Sequence, residues 1–191
     1  MKIDELKIIQ KAKDFSLLLQ QRIGKSNIEH FKRINFNSKV FRNSKIFDSY
    51  IDMIENSKVP IIYVIHVSNS ETSTLLVSKF NEFHKINITR IKNKDRVNTS
   101  RFNGNVSKIL YVGSSITNFK TRIKNHLGVM GSRVYSLHLA KWDQNIDYDV
   151  LIDVFKVNSS DGSILERFVV EIIEQQIWDE LKPVFGKKSG L

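Results

Sequence analysis

The chain has 191 residues, 41% of them hydrophobic, which suffices for a packed core and excludes a wholly disordered protein. Its 30 Lys+Arg against 20 Asp+Glu give a net charge of +10, which favours a polyanionic partner, nucleic acid before anionic membrane. Cysteine is absent, which excludes disulfides, thiolate metal sites and a cysteine nucleophile.

In chain order, residues 1–57 read as a helical arm. Ile8, Ala12, Phe15, Leu19 and Ile23 recur at helical spacing and predict one buried stripe, with Gly24 as a stop signal. A second helix is expected around Phe47, Tyr50, Ile51 and Ile54, with Ser44 as its N-cap, before Pro60 breaks the pattern. The charged start MKIDELKIIQKAKDF lacks the apolar centre of a signal peptide. No apolar run approaches the roughly 20 residues that cross a bilayer, so a cytoplasmic protein with no membrane partner is expected.

After Pro60 the β-branched run Ile61–Val67 predicts a buried strand, and 75–84 a helix. Residues 86–107 are polar, basic and Asn-rich; they predict an exposed excursion with a short strand near 86–91. Residues 108–112 predict a strand, 113–115 a turn, and 118–127 a helix closed by Gly128. A short helix over 135–142, a strand over 147–157 and a long helix over 163–181, ending before Pro183, complete the series.

The charge is unevenly spread. Lys85, Arg90, Lys92, Lys94, Arg96, Arg101 and Lys108 stand against the single acid Asp95, and Lys120, Arg122, Lys124, Arg133 and Lys141 follow with no acid among them. Glu166, Glu171, Glu174, Asp179 and Glu180 then cluster on the last helix against Arg167 alone. Basic surface around a carboxylate-bearing helix suits metal-assisted cleavage of a phosphodiester; the same pattern also describes solvated helix faces.

Tyr111-Val-Gly-Ser-Ser, followed by Arg122 and His126, describes a strand, a turn and a helix with Arg and His four apart on one face. Arginine offers a fixed fork of donors to a phosphate, and histidine can move a proton near neutral pH. On spacing alone, a core tyrosine, a surface arginine and a satisfied histidine describe these residues as well.

The ordered set resembles the GIY-YIG nuclease domain. Tyr63 in Ile61-Ile62-Tyr63 stands where that family has its first motif tyrosine, Tyr111-Val112-Gly113 stands for the second half, and Arg122 and His126 match its arginine and histidine. The run from Glu174 through Ile-Trp-Asp-Glu-Leu to Lys182-Pro183 matches the family's path from its metal-binding glutamate to Lys-Pro. That register selects Glu174, with Glu171 as runner-up. Three departures stand out: IIY for GIY, the long basic segment between Tyr63 and Tyr111, and Gly186 where the family has an asparagine after Lys-Pro.

The resemblance implies an α+β fold, an α/β/α sandwich whose small, three-stranded, mainly antiparallel sheet is flanked by helices. The nuclease domain spans 58–191, with a basic insertion at about 68–107 and the arm at 1–57. It implies a Mg²⁺-dependent endonuclease acting on double-stranded DNA, with Mn²⁺ as a substitute ion, of the restriction or phage-defence type. Its catalytic residues are Tyr63, Tyr111, Arg122, His126 and Glu174, with Glu174 as metal ligand and Tyr63 as proton acceptor. Lys92, Lys94, Arg96, Arg101, Lys108, Lys120 and Lys124 are the expected DNA contacts. As the chain ends at Leu191, specificity is expected from the arm, the insertion or a partner, and cutting both strands favours a homodimer through 1–57. The other reading is a GIY-YIG-fold DNA-binding module with impaired chemistry.

Overall fold

A computed structural model describes residues 3–52, 54, 56–92 and 94–188. The elements are α1 (Glu5–Gly24), β1 (Ser26–Asn37), α2 (Ser38–Arg42), α3 (Ser44–Asp52), β2 (Ile61–Val67), α4 (Ser70–Asn87), β3 (Ile109–Ser115), α5 (Phe119–Leu127), β4 (Asp149–Ser159) and α6 (Arg167–Leu181), with a short 3-10 turn at Leu139–Lys141.

The fold is mixed α and β, but its sheet has four strands rather than three. Their order is β1-β4-β2-β3, and every pairing is antiparallel. The extra strand comes from the supposedly helical arm: β1 pairs with β4 from Ser26↔Ser159 to Asn37↔Asp149. A register shift between His30 and Lys32 leaves Phe31 as an extra residue, which is why the apolar residues Ile28, Phe31, Ile34 and Phe36 do not alternate cleanly. The bulge hides a strand inside a helix-like spacing.

The two faces of β2 explain the layering. Ile61, Tyr63, Ile65 and Val67 face one core with Phe36, Phe41, Phe80, Phe119, Ile123 and Leu127, which brings in α2, α4 and α5. Ile62 and Val64 face the other with Val112, Val157, Val169, Val170 and Ile173, which seats α6. Both faces of a central strand are therefore apolar, as the unbroken run IIYVIHV requires.

Other boundaries moved for local reasons. Helix α3 opens at Ser44 itself, and Asn43 is the cap, its Oδ1 accepting from the Ile46 N–H at 3.4 Å. Gly128 closes α5 in the left-handed region at φ 84°, as predicted. Helix α6 begins at Arg167, not 163, and ends at Leu181 as expected, capped by Lys182 at φ 46°. The helix expected over 135–142 is only the 3-10 turn. The stripe of α1 is not buried; no residue of that helix is, and it meets the body through α6, where Phe15 lies 5.5 Å from Phe168.

The helix expected over 75–84 forms within the longer α4, with Leu76, Val77 and Phe80 buried. The segment expected as an exposed excursion, 86–107, is exposed only in part, and no strand forms near 86–91. The segment is tied down: Asn87, 1% exposed, donates from Nδ2 to the Val97 carbonyl at 2.8 Å and accepts the Val97 N–H at 2.9 Å. Farther on, the Val184 and Phe185 N–H groups donate to Ile109 and Leu110 of β3, each at 2.9 Å, and the Asn103 N–H donates to the Val184 carbonyl at 2.9 Å. The C-terminal tail thus lies beside β3, and 101–103 beside the tail. No helix among the described residues is long and apolar enough to cross a membrane.

Candidate functional site

The antiparallel register of β2 and β3 sets Tyr63 opposite Gly113 and Ile65 opposite Tyr111, so the two tyrosines are diagonal neighbours. Their rings lie 6.3 Å apart at 22°. Gly113 makes this arrangement fit: a Cβ there would stand 2.7 Å from Tyr111 Cε1 and 2.8 Å from the Tyr63 hydroxyl. The glycine of Tyr-Val-Gly is a packing requirement of two rings.

Helix α5 packs Phe119, Ile123 and Leu127 inward and thereby aims His126 at the same rings, 4.3 Å from Tyr111 between centroids. The Leu137 N–H donates to His126 Nδ1 at 3.4 Å, so the ring proton sits on Nε2, which donates to the Tyr63 hydroxyl at 3.0 Å. Burial first, then the positive charges of Arg122 and His138, push His126 down to about 3. The expected proton shuttle near neutral pH is therefore a neutral, fixed donor to Tyr63. Arg122, one turn earlier, is exposed, and its Nε donates to Asn118 Oδ1 at 3.3 Å.

Helix α6 buries Val169, Val170 and Ile173, which leaves Glu171 and Glu174 on the flank beside β3. Glu171 accepts from Arg167 Nε at 2.6 Å. Burial raises Glu174 above the usual carboxylate range; the Ser114 hydroxyl and the Arg122 charge oppose this, and the Glu171 charge adds to it. The third acid, Glu166, lies 3.7 Å from Arg22 of α1 and plays no part in this cluster.

These groups meet at one cavity of about 730 Å³, walled by Tyr111, Gly113, Ser114, Arg122, Glu171 and Glu174, with Arg101, Arg167, Tyr135 and Lys187 at its sides. Tyr63 and His126 lie just behind the wall, both buried. Burial, reinforced by the neighbouring Tyr111 phenol, raises Tyr63 well above a normal phenol, while Arg122 opposes the shift. Burial, then the Glu174 charge, pushes Tyr111 up to about 12. Both phenols are neutral in the protein at rest.

Of the expected DNA contacts, Arg101 lines this cavity, and Lys92 and Arg96 line an adjoining cleft. Lys94, Lys108, Lys120 and Lys124 line neither; Lys120 pairs with Asp52 at 2.5 Å and Lys124 with Asp48 at 3.5 Å, which spends their charge on α3. Sequence reasoning missed Ser114, Arg167 and Tyr135. Ser114 sits inside the turn already singled out, and Arg167 stands four residues before Glu171, so both carried a signal; Tyr135 carried none.

Gly186 has φ +112°, and its N–H donates to the Arg101 carbonyl at 2.8 Å. A Cβ there would meet Tyr111 Cε2 at 3.1 Å. An asparagine at this position would be strained by the backbone and crowded by the ring. Comparisons with family descriptions, curated proteins and solved structures return no match.

Proposed function

We propose that this chain is a metal-dependent endonuclease of the GIY-YIG type that hydrolyses phosphodiesters of double-stranded DNA in restriction or phage defence, working as a homodimer. The observation that carries the reading is the convergence of Tyr111, Arg122 and Glu174 on one cavity, with the Tyr63–His126 pair directly behind it. Four separate elements, β2, β3, α5 and α6, supply these groups.

The residues fit a hard dication. Glu174 is a carboxylate held at a disadvantage by burial and by the Glu171 charge, and a bound cation relieves both. Among the described residues no group of three or more His, Asp or Glu converges. Glu174 would be the ion's carboxylate ligand, and water would complete the shell, as Mg²⁺ accepts and Mn²⁺ can imitate. The ion, when bound, polarises the scissile phosphate and stabilises the leaving oxygen.

The chain's own groups do the rest. Arg122 holds a phosphate oxygen and opposes the charge that grows on it. Tyr63 would first give its phenol proton to solvent through the cavity, the dication and Arg122 offsetting the phenolate's charge; the phenolate then takes the proton of the attacking water and is a neutral phenol again. His126 Nε2–H, donating to the Tyr63 oxygen, stabilises the phenolate, and Arg122 draws the phenol's value down against burial. Tyr111 lines the cavity and is the phenol that takes over if Tyr63 proves to be scaffold.

Plasmid incubated with the purified protein, with and without Mg²⁺, tests the reading. Cleavage is expected only with the ion; Arg122→Ala slows it by about 100- to 1,000-fold, as for loss of one transition-state donor. Glu174→Ala abolishes it, and both variants keep most of their DNA affinity. A Glu174→Ala protein that cuts at the wild-type rate rejects the metal assignment, and Tyr63→Phe with activity retained moves proton transfer to Tyr111. The Gly186 backbone favours one other reading, a DNA-binding module with impaired chemistry. Binding without any cleavage selects it.

A further inference from the structure

A second cleft, of about 410 Å³, adjoins the catalytic cavity, and the two share Thr99, Ser100, Arg101 and Tyr135 as walls. Its volume lies in the range of pockets that hold one small molecule, about 300–1,000 Å³. Lys92 and Arg96 join Arg101 in its lining, and no carboxylate does, so an anion is favoured. The remaining chemistry favours an anion that carries a ring. The imidazole of His84 lies flat on Phe80, 5.4 Å away at 21°, with Nδ1 buried and lacking a partner among the described residues. Tyr135 stands 66% exposed at the boundary of the two clefts. The wall between them is preformed, held by the Asn87 clamp on Val97 and by Asn98 Nδ2 donating to the Arg133 carbonyl at 2.7 Å.

We infer that the second cleft seats one unpaired nucleotide of the strand being cut, next to the scissile phosphate. Its base stacks on Tyr135, its phosphate lies against Arg96 and Lys92, and Arg101 spans the step into the catalytic cavity. This rests on the nuclease reading and narrows it to DNA with an extruded or unpaired nucleotide beside the cut, because a base inside the stack cannot reach a cleft in the protein. Aromatic stacking and backbone cations are the means by which proteins hold single-stranded bases without reading their sequence.

The test is binding in EDTA to two labelled DNAs, a fully paired duplex and the same duplex with one unpaired 2-aminopurine. The wild type is expected to prefer the unpaired DNA by about five- to 150-fold, the worth of one stacked base, with its fluorescence quenched on binding. Tyr135→Ala removes the preference and Tyr135→Phe keeps it; the residue is largely exposed, so neither change disturbs the core. Arg96→Ala weakens binding of the unpaired DNA and lowers its salt slope by about one. Equal affinity of the wild type for both DNAs, or a preference that survives Tyr135→Ala, overturns the inference. A preference that depends on Tyr135 in a protein that cuts no DNA with Mg²⁺ upholds the cleft and rejects the nuclease, so the two failures are distinct.

Discussion

Glu174 costs the resting protein stability. A carboxylate whose folded value is raised favours folding only below its unfolded value of about 4.3, and opposes folding at neutral pH. Glu174→Gln is therefore expected to melt higher than the wild type at pH 7, with the difference closing as the pH falls through about 4. Mg²⁺ raises the melting temperature of the wild type, since a ligand of the folded state stabilises it, and leaves Glu174→Gln unmoved. An equal Mg²⁺ shift in both proteins would put the ion elsewhere. His126 has the opposite signature. Its folded value of about 3 lies below the unfolded value of about 6.5, so its contribution is whole at neutral pH and is lost as the pH falls through that window. His138, lowered mainly by burial, adds in the same direction. Urea titrations between about pH 6.5 and 5, made in the Glu174→Gln background so that the raised carboxylate does not titrate alongside, should show stability falling with acid and a shallower fall when His126→Gln is added. A third residue effect is steric: Gly113→Ala forces a methyl against Tyr63 and Tyr111, costing about 1–3 kcal/mol as overpacking of a filled core, and displaces both phenols.

At the scale of elements, 1–57 holds two different kinds of structure. Helix α2 is bound into the body: Arg42 meets Asp143 at 2.6 Å, Asp143 is 1% exposed, and the Tyr148 hydroxyl donates to the same carboxylate at 3.0 Å. Arg42→Ala strands a buried charge and is expected to lower the unfolding free energy by about 3–5 kcal/mol, read from denaturant midpoints. An unchanged midpoint would mean that water reaches Asp143. Helix α1, by contrast, buries none of its residues, and its removal should leave the circular dichroism of the remainder cooperative. This split explains what was legible in the sequence. The β2 run, the Tyr-Val-Gly strand and α5 with its Gly128 stop announced themselves because each is decided locally, by β-branching, turn residues and helical spacing. Glu174 was selected by the resemblance rather than by any local pattern, and both it and the runner-up Glu171 line the cavity. Strand β1 was not legible, because the bulge at Phe31 removes its alternation and β4, far away in sequence, decides its pairing. Nor was the wall of the cavity: 97–103 lacks any periodic pattern and is placed by the tail 184–186 and by the buried Asn87 side chain. Tyr135 reaches the site only through that wall.

At the scale of the whole molecule, one dense run of exposed apolar side chains falls on α1 and β1, while others, such as Ile91 and Ile164, are dispersed along the chain. Leu6, Ile8, Ile9, Phe15, Leu17 and Leu18 of α1 are exposed, as are Ile28 and Phe31 of β1, whose outer edge pairs with no strand of the sheet. Such a surface marks a contact, and a long bare edge strand invites another strand. The second copy proposed above would fit here, because an edge strand laid antiparallel on its own copy makes a two-fold, in which each patch meets itself. Size points to both elements together. A helix of this length presents a flank of about 300 Å², from about 30 Å by about 10 Å, whereas a stable interface covers about 800 Å² per partner. Helix α1 alone falls short, so β1 must contribute. Light scattering on the eluting protein should give a dimer for the wild type and a monomer after removal of 1–24. A charge placed on the β1 flank, Ile28→Lys, should weaken the dimer while α1 is intact. The consequence for activity is specific: with one cavity per chain, the monomeric variant should nick plasmid at a rate close to the wild type and lose the linear product. A wild type that runs as a monomer at micromolar concentration, or a truncated chain that still linearises plasmid in one encounter, removes the dimer from the mechanism and leaves the apolar end of the molecule to a different partner.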